Sequence, residues 1–393
     1  MARQGALEKT SIMKPFSKNA VAMPRSKIRD IMHLAMEMDD VIHLEVGEPD
    51  FPTPDHVVDA ACIAARSGLT KYAPNAGMNS LREAIAEKVR RYNRIEASIE
   101  NVTVTASGVC AIATSLMALM EPDDEILIPD LSWPDYDMII AINGWTQVRY
   151  PLIKEHGFLP DVKALRELIT DRTKVIMLNS PSNPTGAVFP RDIQKEFYEI
   201  AAEYDLYLLS DETYDQIIFD GEHVSPAIYD TDGRVLTVFS FSKVYAMTGW
   251  RVGYVVASPP LSRLIADIQE PYVSCACSVS QKAAEAALKG SQDCQKIMVD
   301  SYRRRRDIAI EILKANDMFV YSPQGTIYML IDISRCGMSS QDFVMSLLHE
   351  KRVAVSPGDT FGSSGRDYVR ICFAASEDNL REGLERICSH INS

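Results

Sequence analysis

The sequence predicts an α/β protein with two parts: a large domain whose mostly parallel sheet is covered by helices on both faces, and a smaller α+β domain. Between about residues 101 and 258, short apolar and β-branched runs alternate with stretches of helical periodicity, the pattern of a parallel sheet. After about residue 283 this alternation stops. The 393 residues are too many for one ordinary core and suit two domains.

The first part contains five predicted strands, in the runs VTVTA, EILIPD, KVIMLNSP, DLYLLSDE and RVLTVFSFS. Helices are predicted over residues 108–120, after Trp133, and from Pro190 onward. In the last of these helices one face is apolar, through Ile193, Phe197, Ile200, Ala201 and Tyr204. Because parallel strands end at one edge of a sheet, the polar residues that follow these strands should share one crevice.

The second part begins with a long helical region that runs through Leu313. Strand-like TIYMLIDIS, a helix near 340–350, strand-like VAVSP and YVRICF, and a final helix follow. We expect three units: an N-terminal segment, 1–46, that packs with the small domain; a large ligand-binding domain, 47–289; and a small α+β domain, 290–393.

Composition excludes several classes of function. The net charge of −13 argues against nucleic acid or anionic membrane as a partner. The basic run Arg303–Arg306 is interpreted as a solvated helix face with structural ion pairs. No apolar run approaches the roughly 20 residues of a membrane helix, and the first residues lack the apolar core of a secretory signal. A cytoplasmic protein is expected.

The eight cysteines are scattered along the chain. Cys275 and Cys277 do not have the usual spacing of a zinc clamp, and no pair of histidines lies nearby in sequence. We interpret the cysteines as reduced and mostly buried small apolar residues. No metal site is predicted.

Lys243 is the first candidate for chemistry. It lies in Ser240-Phe-Ser242-Lys243, directly after the run VLTVF. A lysine at a strand end is usually a solvated charge. Here two hydroxyls and Arg251, eight residues on, could together bind a phosphate through charge-assisted hydrogen bonds and leave the amine free to form an imine.

A second phosphate-binding element is predicted where VTVTA meets the next helix. Ser107 and Gly108 form this junction, and the N–H groups at a helix start, with the helix dipole, favour an anion. A lone Ser-Gly turn often serves only to begin a helix. This element therefore supports the Lys243 candidate and does not stand alone.

Two further strings follow predicted strands. Asp211, at the end of LYLLSD, is either a helix cap or a buried carboxylate that pairs with a protonated pyridine nitrogen and keeps the ring electron-accepting. Tyr214, and Asn183 in NSPSNPTG, are candidates to donate to a phenolic oxygen on that ring. A loop of Asn, Pro and Gly is commonly a plain turn.

Seven strings in this order resemble the fold-type I pyridoxal-phosphate (PLP) enzymes, specifically the class I/II aminotransferases of the aspartate aminotransferase superfamily. They are VGEPDFPTP, KYAPNAG, NSPSNPTG, SDETY, SFSKVYAMTGWRVGY, SPGDTFG and VRICFA, and they span residues 46–374. The resemblance implies a PLP-dependent enzyme that moves an amino group from an L-amino acid to a 2-oxo acid by a ping-pong mechanism, with 47–289 as the PLP-binding domain.

The resemblance implies roles around the cofactor. Lys243 forms the Schiff base and later shuttles the proton, and Asp211 pairs with the pyridine nitrogen. Asn183 and Tyr214 hold the phenolic oxygen. The residues implied to bind the phosphate are Ser107, Gly108, Val109, Ser240, Ser242 and Arg251. At the helix start Val109 and Cys110 stand where relatives often carry a polar side chain, so only backbone donors remain there.

The resemblance also implies contacts to the ring, the substrate and a second subunit. Trp133 stacks on the cofactor ring, although simple core packing explains it equally. Gly47, Asn179 and Arg370 hold the substrate carboxylate, the arginine through a two-pronged ion pair, and Asn183 also binds the substrate. Tyr72 reaches the phosphate of the neighbouring subunit, which implies a homodimer with shared active sites.

Three alternatives stay open. A PLP-dependent carbon–sulfur lyase, or an enzyme that cyclises a sulfonium amino acid, would use the same Lys243, Asp211 and Arg370. The aminotransferase-like domain of a transcription regulator is disfavoured, because the residues before VGEPDF carry no helix-turn-helix pattern. The third is a non-catalytic binding protein, which the intact set of Lys, Asp and Arg disfavours.

The amino-group donor is not determined by the sequence. A dicarboxylic substrate would need a second cation near its side chain, and Lys14, Lys18 and Arg25 are the candidates. Each is more simply interpreted as a solvated surface charge. Aromatic and small apolar donors are equally open.

Overall fold

The structure, a computed structural model, describes residues 14–393. Its strands are β1 Ile42–His43, β2 Val102–Thr105, β3 Glu125–Pro129, β4 Thr146–Tyr150, β5 Leu152–Ile153, β6 Leu159–Pro160, β7 Thr173–Asn179, β8 Tyr207–Asp211, β9 Val235–Ser240, β10 Gly253–Val256, β11 Tyr328–Asp332, β12 Val353–Ala354, β13 Ser356–Pro357 and β14 Tyr368–Cys372.

The helices are α1 Lys18–Ala22, α2 Lys27–Met36, α3 Asp55–Arg66, α4 Asn79–Lys88, α5 Gly108–Leu119, α6 Pro134–Asn143, α7 Val162–Glu167, α8 Arg191–Glu203, α9 Phe241–Val244, α10 Pro259–Val273, α11 Ser278–Lys289, α12 Asp293–Ala315, α13 Ser340–Lys351 and α14 Glu377–Ile391. A π-helical turn, Val89–Asn93, continues α4. In the part of the chain that the structure describes, no helix combines the length and the apolar character that crossing a bilayer requires.

The largest sheet has seven strands in the order β2-β10-β9-β8-β7-β3-β4. Its neighbouring strands run parallel except at β10, which is antiparallel to both β2 and β9. The predicted mostly parallel sheet is confirmed, and each of the five predicted strands lies in it.

Both faces of this sheet are buried. Along β7, Val175 and Met177 pack in one apolar cluster with α5 and α6, whereas Ile176 and Leu178 pack in another with α8. Successive side chains of a strand point to opposite faces, so a strand covered on both sides reads as a continuous apolar run. The run KVIMLNSP has this character for that reason.

A smaller antiparallel sheet, in the order β11-β14-β13, follows in the C-terminal part. The N-terminal segment contacts more than one region. Ile42 of β1 pairs with Val353 of β12, and α2 lies against β12 and β13, whereas α1 packs on α6 of the large sheet. From residue 14 to residue 46 the chain therefore runs from α6, beside the large sheet, to β12 and β13 in the C-terminal part.

Three local predictions differ from the structure. The long helical region is two helices, α11 and α12, which are separated at Gly290. In α8 the buried face includes Gln194, whereas Tyr204 lies just past the helix end and is 41% exposed. All eight cysteines are free, but only Cys372 and Cys388 are buried, so the prediction of mostly buried cysteines was wrong.

The basic run on α12 is only half a solvated face. Its ion pairs are confirmed: Arg303 with Asp300, Arg304 with Glu377, Arg305 with Asp50, and Arg306 with Asp220 and Asp307. However, Arg305 and Arg306 are buried. A run of four arginines in the sequence does not show which of their side chains face inward.

Candidate active site

The carboxyl ends of the central strands meet at one edge of the large sheet. Asn179 and Asp211 are register partners at the ends of β7 and β8, and Asp211 pairs in turn with Val238 of β9. A cavity of about 620 Å³ opens at this edge. Of the predicted site residues it is lined by Gly47, Ser107, Gly108, Val109, Trp133, Asn179, Asn183, Asp211, Tyr214, Ser240, Ser242, Lys243, Arg251 and Arg370.

Tyr72 is the one predicted site residue outside this cavity. Its side chain lies on the surface and is 90% exposed. The prediction placed Tyr72 against a neighbouring subunit and not in its own site, so this exposure is compatible with it. The role of Tyr72 stays a prediction.

One end of the cavity presents hydrogen-bond donors. The N–H groups of Gly108 and Val109 begin α5 and have no protein acceptor within residues 14–393, as is usual for a first helical turn. Ser107 Oγ caps the helix by accepting from the Cys110 N–H at 3.1 Å. Arg251 completes this end, oriented by its own hydrogen bond to the Thr248 carbonyl at 2.8 Å.

The donor end depends on close approach between two backbones. Ser107 has φ 150° and ψ 169°, a region that residues with a side chain rarely adopt. Gly253, in β10, lies directly beneath this junction, and a Cβ there would come within 2.6 Å of the Gly108 nitrogen. Gly253 therefore lets the junction sit against the sheet, a role that the sequence analysis missed.

Asp211 is a buried carboxylate in the wall of the cavity, only 3% exposed. Its Oδ2 accepts from the Tyr136 hydroxyl at 2.5 Å, and its Oδ1 accepts from the Thr213 hydroxyl and N–H at 2.7 and 3.1 Å. All three donors are neutral. Burial raises the pKa of Asp211, and these hydrogen bonds only partly oppose the rise. No cation within residues 14–393 forms an ion pair with it.

Lys243 carries the only lysine amine that lines the cavity in the described chain. It follows β9 in the short helix α9, and its Nζ donates to the Gly47 carbonyl at 2.5 Å. Burial lowers the pKa of Lys243 to about 8, and the charges of Arg370 and Arg251 also lower it. A lysine with such a pKa has a substantial neutral fraction near physiological pH, as nucleophilic and basic chemistry requires.

Arg370, on β14, is 2% exposed and lies between two aromatic rings, with its guanidinium 4.3 Å from the ring centre of Tyr328 and 4.8 Å from that of Phe361. Its protein acceptors are the Asn183 Oδ1 at 3.1 Å, the Glu45 carbonyl at 2.5 Å and the Ser356 hydroxyl at 3.1 Å.

Arg370 therefore has no carboxylate partner in the described chain, and its Nε has no acceptor at all. A buried guanidinium with free donor capacity is suited to a ligand carboxylate.

A network of side chains joins the remaining predicted residues. The hydroxyls of Tyr214 and Tyr328 are 2.8 Å apart. Asn179 Oδ1 accepts from the Asn183 N–H at 2.7 Å, and Asn179 Nδ2 donates to the Asp211 carbonyl at 3.0 Å. Because Asn183 Oδ1 already accepts from Arg370, the Nδ2 of Asn183 remains to donate into the cavity.

Gly47 has a structural reason to be glycine. A Cβ at this position would overlap the hydroxyl of Tyr328. Trp133 lies at the N-terminus of α6 and meets Tyr136 edge to face, with ring centres 5.7 Å apart. These contacts hold Trp133 beside the side chain that donates to Asp211.

Several residues at this site were not predicted from the sequence. Tyr136 and Tyr328 come from distant parts of the chain, and Thr213 comes from the predicted string SDETY; all three contact the predicted residues directly. Four residues around α2 also line the cavity, namely Ser26, Ile28, Arg29 and Met32. No pattern marked Tyr136 or Tyr328, because their contacts span 75 and 114 residues.

Arg29, not one of the three predicted cations, is the extra cation at the mouth of the cavity. Lys14 and Lys18 are exposed and do not line it, and Arg25 is exposed with Asp30 beside it at 3.5 Å. Burial raises the pKa of Asp135, and the neighbouring charge of Arg29 opposes that rise. Within residues 14–393, no group of three or more His, Cys, Asp or Glu side chains is arranged to hold a metal ion.

The fold and the strand-end site are those of a fold-type I enzyme, with a lysine, a carboxylate and an arginine around one cavity. Residues 39–387 match the family model for aminotransferase class I and II. The chain belongs to this family and is an aminotransferase.

Similar proteins agree. The aspartate/prephenate aminotransferase of Thermus thermophilus is 37% identical and is aligned over 95% of this chain and 98% of its own length. The aromatic-amino-acid aminotransferase 2 of Thermococcus litoralis is 34% identical, over 92% and 94%. The structure of the Thermus thermophilus aspartate aminotransferase with maleate superposes with a TM-score of 0.92 at 36% identity, over 96% of this chain and all of that one.

Proposed function

We propose that the chain transfers the amino group of an L-amino acid to a 2-oxo acid with PLP held at Lys243. The observation that carries this proposal is the set of unpaired groups in the cavity. Within the described residues 14–393, Asp211 is a buried carboxylate without a cation, Arg370 is a buried cation without a carboxylate, and Lys243 is an amine with a lowered pKa. Each lacks the partner that a phosphorylated pyridine aldehyde or an amino acid would bring.

The residues present fit this cofactor. The free N–H groups of Gly108 and Val109, together with Ser240, Ser242 and Arg251, supply donors for a phosphate. Asp211 faces the cavity as the partner of a ring nitrogen. Asn183 and Tyr214 would donate to the phenolic oxygen, and Trp133 supplies a flat aromatic surface. PLP, when bound, supplies an aldehyde carbon and an electron-accepting ring.

The chain's own residues then move the proton and orient the substrate. Arg370 binds the substrate carboxylate through two N–H groups and so fixes the direction of the Cα–H bond. Lys243 Nζ, neutral above its lowered pKa, takes the α-proton as a general base and returns it on the other side of the reaction. Asp211 keeps its negative charge at the point where positive charge is needed on the ring.

The substrate class follows from the outer end of the cavity. Relatives are named for aspartate, prephenate and aromatic amino acids. Arg29 provides a cation for an acidic side chain, and Ile28, Met32 and Trp133 provide apolar surface for an aromatic one. We propose that aspartate and aromatic amino acids are both donors.

The assembly and the location are also part of the proposal. Tyr72 is a large, almost fully exposed side chain, which supports a homodimer in which it completes the partner's phosphate site. We propose a division into an N-terminal segment 1–46, a PLP-binding domain 47–289 and a small domain 290–393. A cytoplasmic location fits the free cysteines.

A half-reaction screen tests this function. PLP-loaded protein is mixed with L-aspartate, L-glutamate, L-tyrosine or L-phenylalanine while the cofactor absorbance is followed. We expect conversion to the pyridoxamine form, with one oxo acid released per site and no ammonia. Borohydride treatment before the donor is added should label Lys243 alone. A parallel sample receives L-cystathionine and no oxo-acid acceptor. Release of homocysteine, pyruvate and ammonia from it, or a borohydride label on another lysine, would contradict the proposal.

A further inference from the structure

Two buried tyrosine hydroxyls face each other in the active-site cavity and share one hydrogen bond. Tyr214 and Tyr328 are 4% and 2% exposed, both line the cavity, and their hydroxyl oxygens are 2.8 Å apart. Among residues 14–393 neither hydroxyl has another hydrogen-bond partner. The two hydroxyls carry two protons, and the shared hydrogen bond uses only one of them. The other proton is therefore free to be donated to a ligand.

The contacts of Tyr328 favour its hydroxyl as the donor in the shared hydrogen bond. The Arg370 guanidinium lies 4.3 Å from the centre of the Tyr328 ring, and the Tyr328 hydroxyl packs against Gly47, where an added Cβ would overlap it. Both ends of the side chain are thus held in place. A cation over the ring attracts its electrons, which makes the hydroxyl a stronger donor. Burial raises the pKa of Tyr328 to about 12, and the charge of Arg370 opposes that rise.

The direction of the shared hydrogen bond determines what Tyr214 can do. If Tyr328 donates to Tyr214, the proton of Tyr214 is free to point at the phenolic oxygen of the cofactor. If Tyr214 donates to Tyr328 instead, its only proton is used, and the free proton belongs to Tyr328, beside Gly47 and Arg370. A hydroxyl that accepts one hydrogen bond donates the next one more strongly, because hydrogen bonds in a chain polarise one another.

We propose that Tyr328 is a positioning residue, whose hydroxyl donates to Tyr214 and so directs the Tyr214 proton to the phenolic oxygen of the cofactor. This role rests on the proposed function, because it assigns the orienting partner of a donor that the proposed function uses. A firmly held donor draws on the negative charge of the phenolic oxygen. That charge then does less to retain a proton on the neighbouring nitrogen, which Lys243 contributes.

A pH titration of the cofactor absorbance tests this role, because it reports the proton at Lys243 without turnover. It uses PLP-loaded full chain in which borohydride labels Lys243. Tyr328→Phe removes the hydroxyl and keeps the ring on Arg370, and it should raise the pH midpoint by about half a unit, or about threefold in proton affinity. Tyr214→Phe removes the donor itself and should raise the midpoint by about 1–2 units, as for one hydrogen bond to a charged group.

A control variant and a double variant separate the shared hydrogen bond from general effects. Tyr302 is also buried, but it does not line the cavity, and its hydroxyl has no hydrogen-bond partner in the described chain. Tyr302→Phe should therefore leave the midpoint unchanged. In the double variant of Tyr214→Phe and Tyr328→Phe, the midpoint should equal that of Tyr214→Phe alone, because Tyr328 acts through Tyr214.

Binding of maleate, an unreactive dicarboxylate, distinguishes the two directions of the hydrogen bond. Tyr328→Phe leaves the contacts of Arg370 in place, so the Kd for maleate should change by less than about twofold. If Tyr328 instead donates to the substrate carboxylate, the same variant should weaken maleate binding about tenfold, as for one hydrogen bond to a charged group, and leave the midpoint unchanged.

Each kind of failure has its own meaning. The role of Tyr328 is wrong if Tyr214→Phe shifts the midpoint and Tyr328→Phe does not. It is also wrong if the two shifts add in the double variant, because the hydroxyls then act independently. If Tyr214→Phe leaves the midpoint unchanged, or borohydride labels a lysine other than Lys243, the proposed function is contradicted first, and the role of Tyr328 is overturned with it.

Discussion

Two buried carboxylates lie four residues apart on the segment after β8, and their partners differ. Asp215 Oδ2 accepts from the Lys88 ammonium at 2.5 Å and from Asn93 Nδ2 at 3.0 Å. Asp211 is equally buried and has only neutral donors around it. Residues 14–393 supply the counterion of Asp215 but not that of Asp211.

Two buried arginines repeat the contrast. Arg305 is bound by both oxygens of Asp50, at 2.7 and 2.8 Å, whereas among the described residues Arg370 meets only neutral oxygens. A buried charge without a counterion is costly in an empty protein. The difference shows that burial alone does not distinguish a functional charge from a structural one, whereas the absence of an internal partner does.

Removing the amine of the site should have the largest effect. We expect Lys243→Ala to lower turnover by about 10⁴-fold or more, because attachment of the cofactor and proton transfer both depend on that atom. The melting temperature should not fall, since Lys243 has no buried counterion to lose. Steady-state assays and thermal melts check both expectations, and normal turnover would refute the role of Lys243.

Neutralising the unpaired carboxylate should cost activity but not stability. Asp211→Asn keeps the size of the side chain and removes its charge, so turnover should fall by about 10²–10³-fold, as when one electrostatic contact is lost from an active site. The unfolding free energy without PLP should stay equal or rise. A clear loss of stability would show that Asp211 resembles Asp215 after all.

Breaking the paired carboxylate should do the reverse. Lys88→Met leaves Asp215 buried without its cation, and we expect the unfolding free energy to fall by about 3–5 kcal/mol. Urea unfolding measures this loss. At a temperature where the variant is folded, its turnover should stay within a few-fold of the original. A large drop in turnover with stability unchanged would show that Asp215 serves activity, as Asp211 is expected to, and not stability.

The cation at the cavity mouth offers a smaller test. Because Arg29 is beside Asp135 and lines the cavity, Arg29→Leu should lower kcat/KM for aspartate about tenfold, the contribution of one charge-assisted contact. For phenylalanine, whose side chain has no charge to pair with Arg29, kcat/KM should change less than about twofold. Arg25→Leu, on the exposed neighbouring turn, is the matched control. Equal losses of kcat/KM for aspartate and phenylalanine would show that Arg29 does not select the substrate.

A last test is the pH dependence of stability without cofactor. The pKa of Lys243 is lowered from 10.5 to about 8, so below pH 8 the folded protein must bury a charged amine at full cost. Between pH 8 and 10.5 that cost fades, because only the unfolded chain remains protonated, and above 10.5 it vanishes. Lys243→Met should therefore melt above the original protein at pH 7 and approach it by pH 10.5.

The sequence predicted the parts of this molecule that local pattern determines. Runs such as KVIMLNSP must be covered on both faces, and the residues after them must meet at one edge. This reasoning places Asp211 and Lys243 in one cavity. It did not reach Gly253, because β10, which begins at that glycine, was not among the predicted strands, although a glycine in a strand often marks close backbone approach.

The rest depended on contacts that no local pattern encodes. Nothing in the local sequence distinguishes Tyr136 and Tyr328 from other aromatic residues. Only the fold brings them into contact with Asp211 and Tyr214. The burial of Arg305 and Arg306 within the basic run could not be predicted either, because their partners Asp50 and Asp220 are distant in sequence. Arg29 was missed for the same reason.

The reversed direction of β10 has a mechanical consequence. Because β10 runs opposite to β9, it begins at the edge of the sheet where β9 ends. The chain therefore leaves the sheet at Ser240 and re-enters it at Gly253 on the same edge. The connection between β9 and β10 is held at both ends by strand pairing, and it carries Ser242, Lys243 and Arg251. Lys243 and the proposed phosphate donors Ser242 and Arg251 thus lie on one connection of fixed span, and an insertion into it would move the Lys243 amine relative to those donors.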